Sequence, residues 1–160
     1  MGHLLARPVG YPEQGFQHPV DELLEVSASA KAFLDREAVA WTERIIFSPL
    51  ASNGRDSYRV RAIGFHPGRD EKVFSRALWT VRGAYPDPAK PEIIVGRGVA
   101  RLLNVTPGDR LVLQVRTHRG AINALDVVVS GLVVTNNSAL DGTGILMPWA
   151  LAARLVNADR

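Results

Sequence analysis

The run IIVGRGVARLLNVTPGDRLVL, residues 93–113, constrains this chain more than any other stretch. Glu92-Ile-Ile-Val-Gly is a short apolar segment closed by glycine and reads as a buried strand. Arg97 to Leu103 places Val99, Leu102 and Leu103 on one face of a short helix. Val105-Thr-Pro-Gly-Asp is a turn, with Asp109 suited to accept backbone N–H bonds rather than to act as a base. Arg110 to Thr117 then alternates, with Leu111, Leu113 and Val115 on one side, and predicts a half-buried strand.

The rest of the chain agrees with a mixed architecture. Residues 3–11 read as a short extended segment, and residues 20–35 as a helix, with Val20, Leu23, Leu24 and Ala28 at helical spacing. Glu37 to Ser48 reads as extended. Asn53-Gly54 is a hairpin turn between Arg44–Leu50 and the alternating run Ser57–Phe65. A short helix is expected over Asp70–Leu78, with Asp70-Glu71 complementing its N-terminal dipole. Leu125–Val134 predicts a strand, with Ser130-Gly131 a packing or bulge position inside it. Asn136–Gly144 reads as a polar loop, Ile145–Pro148 as a last strand and Trp149–Val156 as a terminal helix. Hairpins dominate and regular βαβ alternation is missing, so the expected class is α+β. No internal repeat is read along the chain.

Composition narrows the chemistry. With 46% hydrophobic and 22% charged residues, the chain of 160 can bury a sizeable core. It has no cysteine, which excludes disulfides, thiol catalysis and cysteine-bound zinc. The net charge is +3 with no dense Lys/Arg run, so nucleic acid is not an expected partner. The longest stretch free of charge, Val127–Leu140, falls short of the ~20 apolar residues of a membrane span. The N-terminus lacks a signal peptide's apolar region. Gly96-Arg97-Gly98 follows a strand and opens a helix, but Arg101 stands where a dinucleotide-binding turn needs glycine. There is no P-loop. His3, His18, His66 and His118 lack metal-ligand spacing, and no serine sits in a nucleophile elbow. Catalytic, cofactor-binding and metal-ligating residues are therefore all expected to be none.

Residues 93–113 resemble the extracytoplasmic core domain of FtsX-like and MacB-like ABC transporter permeases. The family's positions are Gly96, Gly98, Ala100, Leu103, Gly108 and Asp109. Further segments fit in order: Arg61–Pro67, with His66 where aspartate is common; Val81-Arg82-Gly83; Val128–Leu132; and Leu140-Asp141 followed by Ile145–Pro148 and the helix through Leu155. The resemblance covers residues 60–156 and only in outline the first 55.

The resemblance implies a two-lobed α+β fold with mixed, largely antiparallel sheets. The first, Porter-like lobe is expected at 1–66 plus 136–160, and the second, Sabre-like lobe at 67–135. It implies a non-enzymatic domain facing the periplasm or cell exterior. Its partners are transmembrane helices of the same permease, a second permease subunit and a separate cytoplasmic ATPase. Lipoprotein or lipid cargo is implied if the branch is that of the lipoprotein-releasing permeases LolC and LolE. The interval Arg116–Ala124, where LolC carries its carrier-binding hook, is short and lacks a Pro-rich extension. A LolE-like role or a generic exporter stands beside the LolC route. Arg116, His118 and Arg119 at this basic hairpin tip are the candidate partner-binding residues. The alternative is a soluble substrate- or nucleic-acid-binding module, because Leu-Asn-Val-Thr-Pro-Gly-Asp-Arg-Leu also resembles a double-psi barrel signature.

Overall fold

The computed structural model describes residues 5–7, 24–117 and 120–156. Arg44–Phe47 (β1) and Leu50–Ser52 (β2) run up one arm of a hairpin; Ser57–Arg59 (β3) and Arg61–Phe65 (β4) return down the other. Both pairs keep one antiparallel register, from Arg44 opposite Phe65 to Ser52 opposite Ser57, and the Val60 amide donates to the Pro49 carbonyl between them. Asn53 Oδ1 accepts the amides of Arg55 and Asp56 and holds the tip. Beyond the hairpin come Pro67–Val73 (α2), Thr80–Gly83 (β5), Glu92–Gly96 (β6) and Arg97–Leu102 (α3). Arg110–Arg116 (β7) and Ile122–Val134 (β8) form the second hairpin, followed by Ser138–Thr143 (α4), Gly144–Pro148 (β9) and Trp149–Val156 (α5).

These strands close on themselves. β4 pairs with β9 in parallel, β9 with β6 antiparallel, β6 with β8 in parallel, β8 with β7 and β7 with β2 antiparallel. Since β2 continues β1 and pairs with the arm that contains β4, the path returns to its start as a six-stranded barrel. The fold is α+β with a mixed, largely antiparallel sheet. Phe47, Ala62, Ile145, Val95, Val129 and Leu113 point inward from successive strands and are fully buried. Val99 of α3, Leu103 just after it, and Leu151 and Leu155 of α5 join the same core. A second cluster, Ile63, Phe65, Ile94 and Leu146, lies on the outer face of β4, β9 and β6, beneath Trp79 and Val81.

The barrel is built twice over. Hairpin, helix, strand, helix occurs as β1–β4, α2, β6, α3, with β5 inserted after α2, and again as β7–β8, α4, β9, α5. The repeat extends to a matching polar contact. Asn53 Nδ2, in the first hairpin, donates to the Leu103 carbonyl just beyond α3 at 2.7 Å. Asn123 Nδ2, in the second, donates to the Arg154 and Leu155 carbonyls at the end of α5, both at 3.0 Å. The expectation of no repeat is thereby corrected. A trace of it is present in sequence, Val-Ala-Arg-Leu-Leu-Asn at 99–104 against Ala-Ala-Arg-Leu-Val-Asn at 152–157.

Other local expectations are sharpened. The first described helix is Ala28–Glu37 (α1), because the Ser27 hydroxyl accepts the Ala30 amide and starts it there; Leu24–Ser27 are not helical. Residues 20–23 lie outside the described residues, as does most of 3–11. The segment 136–144 contains α4, capped by Asn137 Oδ1, which accepts from Ala139 and Leu140. α2 begins at Pro67, which suits a first helical position, and ends at Val73. Ser130 is the extra residue of a bulge: the register passes from Ile93 opposite Val129 to Ile94 opposite Gly131. The bulge resets the alternation of β8, so that Leu132 joins the interior cluster and Val133 the outer one.

The Gly-x-Gly pair also finds its physical reason. A Cβ on Gly96 would collide with the Leu140 carbonyl, and one on Gly98 with that of Gly142. The two glycines let α3 and α4 approach backbone to backbone. Asp109 caps its turn as expected, accepting the Thr106 amide at 2.7 Å and the Thr106 hydroxyl at 3.1 Å.

Candidate functional site

The outer face of the first hairpin is where chemistry collects. Register places Arg44 and Ile46 of β1, Arg61, Ile63 and Phe65 of β4 and Leu146 of β9 on that face. The chain leaving β4 folds back over it as α2 and the segment to β5. Between this crossover and the barrel lies a cavity of about 400 Å³. Ile46, Ile63 and Leu146 form its apolar floor, Val73, Phe74 and Trp79 its far side, and Asn137 and Leu140 of α4 its flank.

Asp70 ties the crossover down. Its side chain is 2% exposed and accepts a two-pronged bond from Arg44, Nε to Oδ1 and Nη2 to Oδ2, both at 2.8 Å. Arg76 Nη2 reaches Oδ2 at 3.2 Å. The planar fork of arginine matches a carboxylate in this way, and the arrangement gives the buried charge the partners it needs. The sequence places Asp70 in the first turn of α2, but its carboxylate serves the arginines rather than the helix dipole alone.

Aromatic faces receive the remaining guanidinium surface. Arg44 lies 3.6 Å over the Phe74 ring. Arg76 lies 4.9 Å from the Phe65 ring, 5.7 Å from Trp79 and 5.3 Å from Tyr85. Its Nε is buried without a hydrogen bond, and Glu71 meets its Nη1 from the solvent side at 3.4 Å. Arg61 lines the same cavity with a buried, unbonded Nε, and no ion pair involves it among the described residues. Three guanidiniums thus line a cavity that holds one buried carboxylate, so positive charge is in excess there.

At the barrel end beside the cleft, His66 stacks on Trp149 with ring centroids 5.1 Å apart. Burial pushes its imidazole below the ordinary value of 6.5, opposed by Glu43 and helped by Arg69 and Lys31. Burial therefore favours the neutral imidazole over the charged one.

Of the residues expected to meet a partner, Arg116 is exposed at the end of β7 and does not line the cleft. His118 and Arg119 lie outside the described residues. Of the cleft residues, Arg44, Arg61 and Arg76 were not singled out as site residues by sequence reasoning, and Asp70 was read only as complementing the helix dipole. The available signal was Arg44 and Arg61 interrupting an otherwise apolar outward alternation across the hairpin. Among the described residues, no group of three or more His, Asp or Glu side chains is placed to hold a metal ion, and no helix is long and apolar enough to cross a membrane.

The fold is that of a known extracellular domain. The extracellular domain of the noncanonic ABC-type transporter YknZ from Gram-positive bacteria matches with a TM-score of 0.57 at 13% identity. The match covers 78% of this chain and 62% of that one, so this chain spans less than two thirds of that domain. A domain assigned to a permease protein of Porphyromonas gingivalis matches with a TM-score of 0.48 at 14% identity, over 78% of this chain and 54% of that one. No protein-family model matches the chain, and no curated protein does.

Proposed function

We infer that this chain is the extracytoplasmic domain of an ABC-type transporter permease and is not itself an enzyme. The observation that carries the reading is the fold shared with the YknZ extracellular domain over 78% of this chain. On this reading the chain lies outside the cell membrane, attached to membrane helices of the same permease and paired with a second permease subunit. A cytoplasmic ATPase drives it through those helices by conformational change.

The lobes would be two halves of the barrel. β1–β4 and β9 fall in 1–66 plus 136–160, and β5–β8 in 67–135. The seams between the halves are short ladders, Ile94–Val95 against Ile145–Leu146 and Leu50–Ser52 against Val112–Gln114. Within a half, β7 and β8 pair all the way from Arg110 to Arg116. Release of lipoprotein or lipid, and contact of Arg116, His118 and Arg119 with an acidic partner, are the finer parts of the proposal.

A second reading is favoured by the closed, twice-built barrel, a form that suits a soluble binding module. One experiment separates the two: sequencing the parent gene through both ends of this segment and into its neighbours. The permease reading expects apolar segments of about 20 residues flanking the domain and a nearby P-loop ATPase. A natural chain without flanking segments or such a neighbour overturns it in favour of the binding module.

A further inference from the structure

We propose that the cleft between the outer face of β1, β4 and β9 and the α2–β5 crossover binds a small amphiphilic anion, a phosphate or carboxylate head on an apolar body. The proposal does not depend on the permease reading, because every residue it uses belongs to the cleft.

Three observations converge on it. The cavity, at about 400 Å³, is within the size range of small-molecule sites. Its charge is unbalanced: Arg44 and Arg76 share Asp70, and Arg61 is left over. The Arg61 Nε is buried with no hydrogen-bond partner, and an anion in the cleft would supply one. Finally, the floor beside Arg61 is apolar, made by Ile46, Ile63 and Leu146.

These features select the ligand. An inorganic ion would satisfy Arg61 but leave the floor uncovered. A neutral apolar molecule would cover the floor but leave Arg61 unpaired. A head group carrying one or two negative charges meets the guanidinium fork, which matches phosphate and carboxylate oxygens in a plane. Asn137, whose Oδ1 caps α4, also lies on the cavity wall. Asp70 sets the upper limit on charge, since a highly charged head would be repelled by it.

Isothermal titration calorimetry of the chain with octyl phosphate tests this, alongside inorganic phosphate and the uncharged octyl glucoside. Octyl phosphate is expected to bind at one site, at least about tenfold tighter than either comparison compound. Arg61→Gln is expected to weaken octyl phosphate about tenfold or more, and Arg61→Lys to recover part of the loss. Arg61 has no ion-pair partner to lose, so both variants should melt within a few degrees of the parent. Raising salt should weaken binding of the parent and leave that of Arg61→Gln nearly unchanged. Equal affinity for octyl glucoside, or an unchanged affinity in Arg61→Gln, overturns the proposal. Should Arg61→Gln melt far below the parent, Arg61→Lys alone decides: no loss of affinity in it overturns the claim that the fork reads the head group.

A second arm assigns the source of the head group. Sedimentation with phosphatidylglycerol vesicles, but not phosphatidylcholine vesicles, and its loss in Arg61→Gln, would identify a membrane lipid. Octyl phosphate binding without vesicle retention would identify a free small molecule. Both results support the anion site.

Discussion

The two units of the barrel share one plan and differ in one connection. In the second, the chain passes from β8 to β9 through α4 alone, from Thr135 to Thr143. In the first, the passage from β4 to β6 runs from His66 to Pro91 and carries α2, β5 and most of the arginine–aromatic cluster. Inward-facing residues of the units are alike, apolar and buried. Outward-facing residues are not. On the outer faces of β4 and β6, Ile63, Phe65 and Ile94 are buried beneath the long crossover and α4, whereas β7 shows Arg110, Val112, Gln114 and Arg116 to solvent. The cleft therefore belongs to what was added to the scaffold, while the scaffold keeps the interior common to both units.

The largest test of that contrast is Asp70→Ala. It strands Arg44 and Arg76 beside a buried void, and should cost about 3–5 kcal/mol in chemical denaturation. A loss below about 1 kcal/mol would mean that the crossover is held by its apolar contacts and that the ion cluster is incidental.

Next comes a matched pair on the outer face. Ile94→Ala, on covered β6, should cost about 2–5 kcal/mol, and Val112→Ala, on open β7, about 0.5 kcal/mol or less. Similar losses at both would show that β7 is also covered, for example by residues outside those described or by a partner.

The symmetry itself is tested by Asn53→Ala and Asn123→Ala. Each removes the amide that meets the carbonyl end of a helix, at a cost of about 1 kcal/mol, and Asn53→Ala should cost more because its Oδ1 also accepts the Arg55 and Asp56 amides. A larger loss at Asn123 in thermal denaturation would show that the second unit leans more on this contact.

The smallest effect is the pH dependence set by His66. Its imidazole is lowered in the folded chain by burial, so folding favours the neutral form. That contribution is complete above 6.5, the unfolded value, and is lost as pH falls through 6.5 toward the folded value. Denaturation midpoints at pH 7.5 and 5.5 should therefore differ less in His66→Gln than in the parent. A His66→Gln variant that loses as much stability as the parent on acidification would assign the drop to other groups.

What the sequence determined by itself was local. Short-range periodicity and turn chemistry are properties of neighbouring residues, so β6, α3, the Pro-Gly-Asp turn, β7 and α5 were legible to within a residue or so. The Ser130 bulge was legible too, because a Ser-Gly pair breaks an apolar strand. α4 was missed because its run of Ser, Ala, Leu, Asp, Gly and Thr has little helical periodicity; the helix depends on the Asn137 cap and on the close packing that Gly98 permits. The mixed α+β class followed from the same local signals.

Tertiary structure decided the rest. Closure of the barrel depends on which strands meet, and β2 meeting β7 brings together residues about sixty positions apart. The repeat was hard to read because only a six-residue echo of it survives in sequence, while the rest resides in connectivity. The cleft is the extreme case. Arg44, Arg61, Asp70 and Arg76 are ordinary charged residues in the chain, and alternation alone assigns the first two to solvent. Only the folded crossover shields this cluster, and that shielding makes Asp70 an anchor and leaves the Arg61 Nε buried without a hydrogen bond.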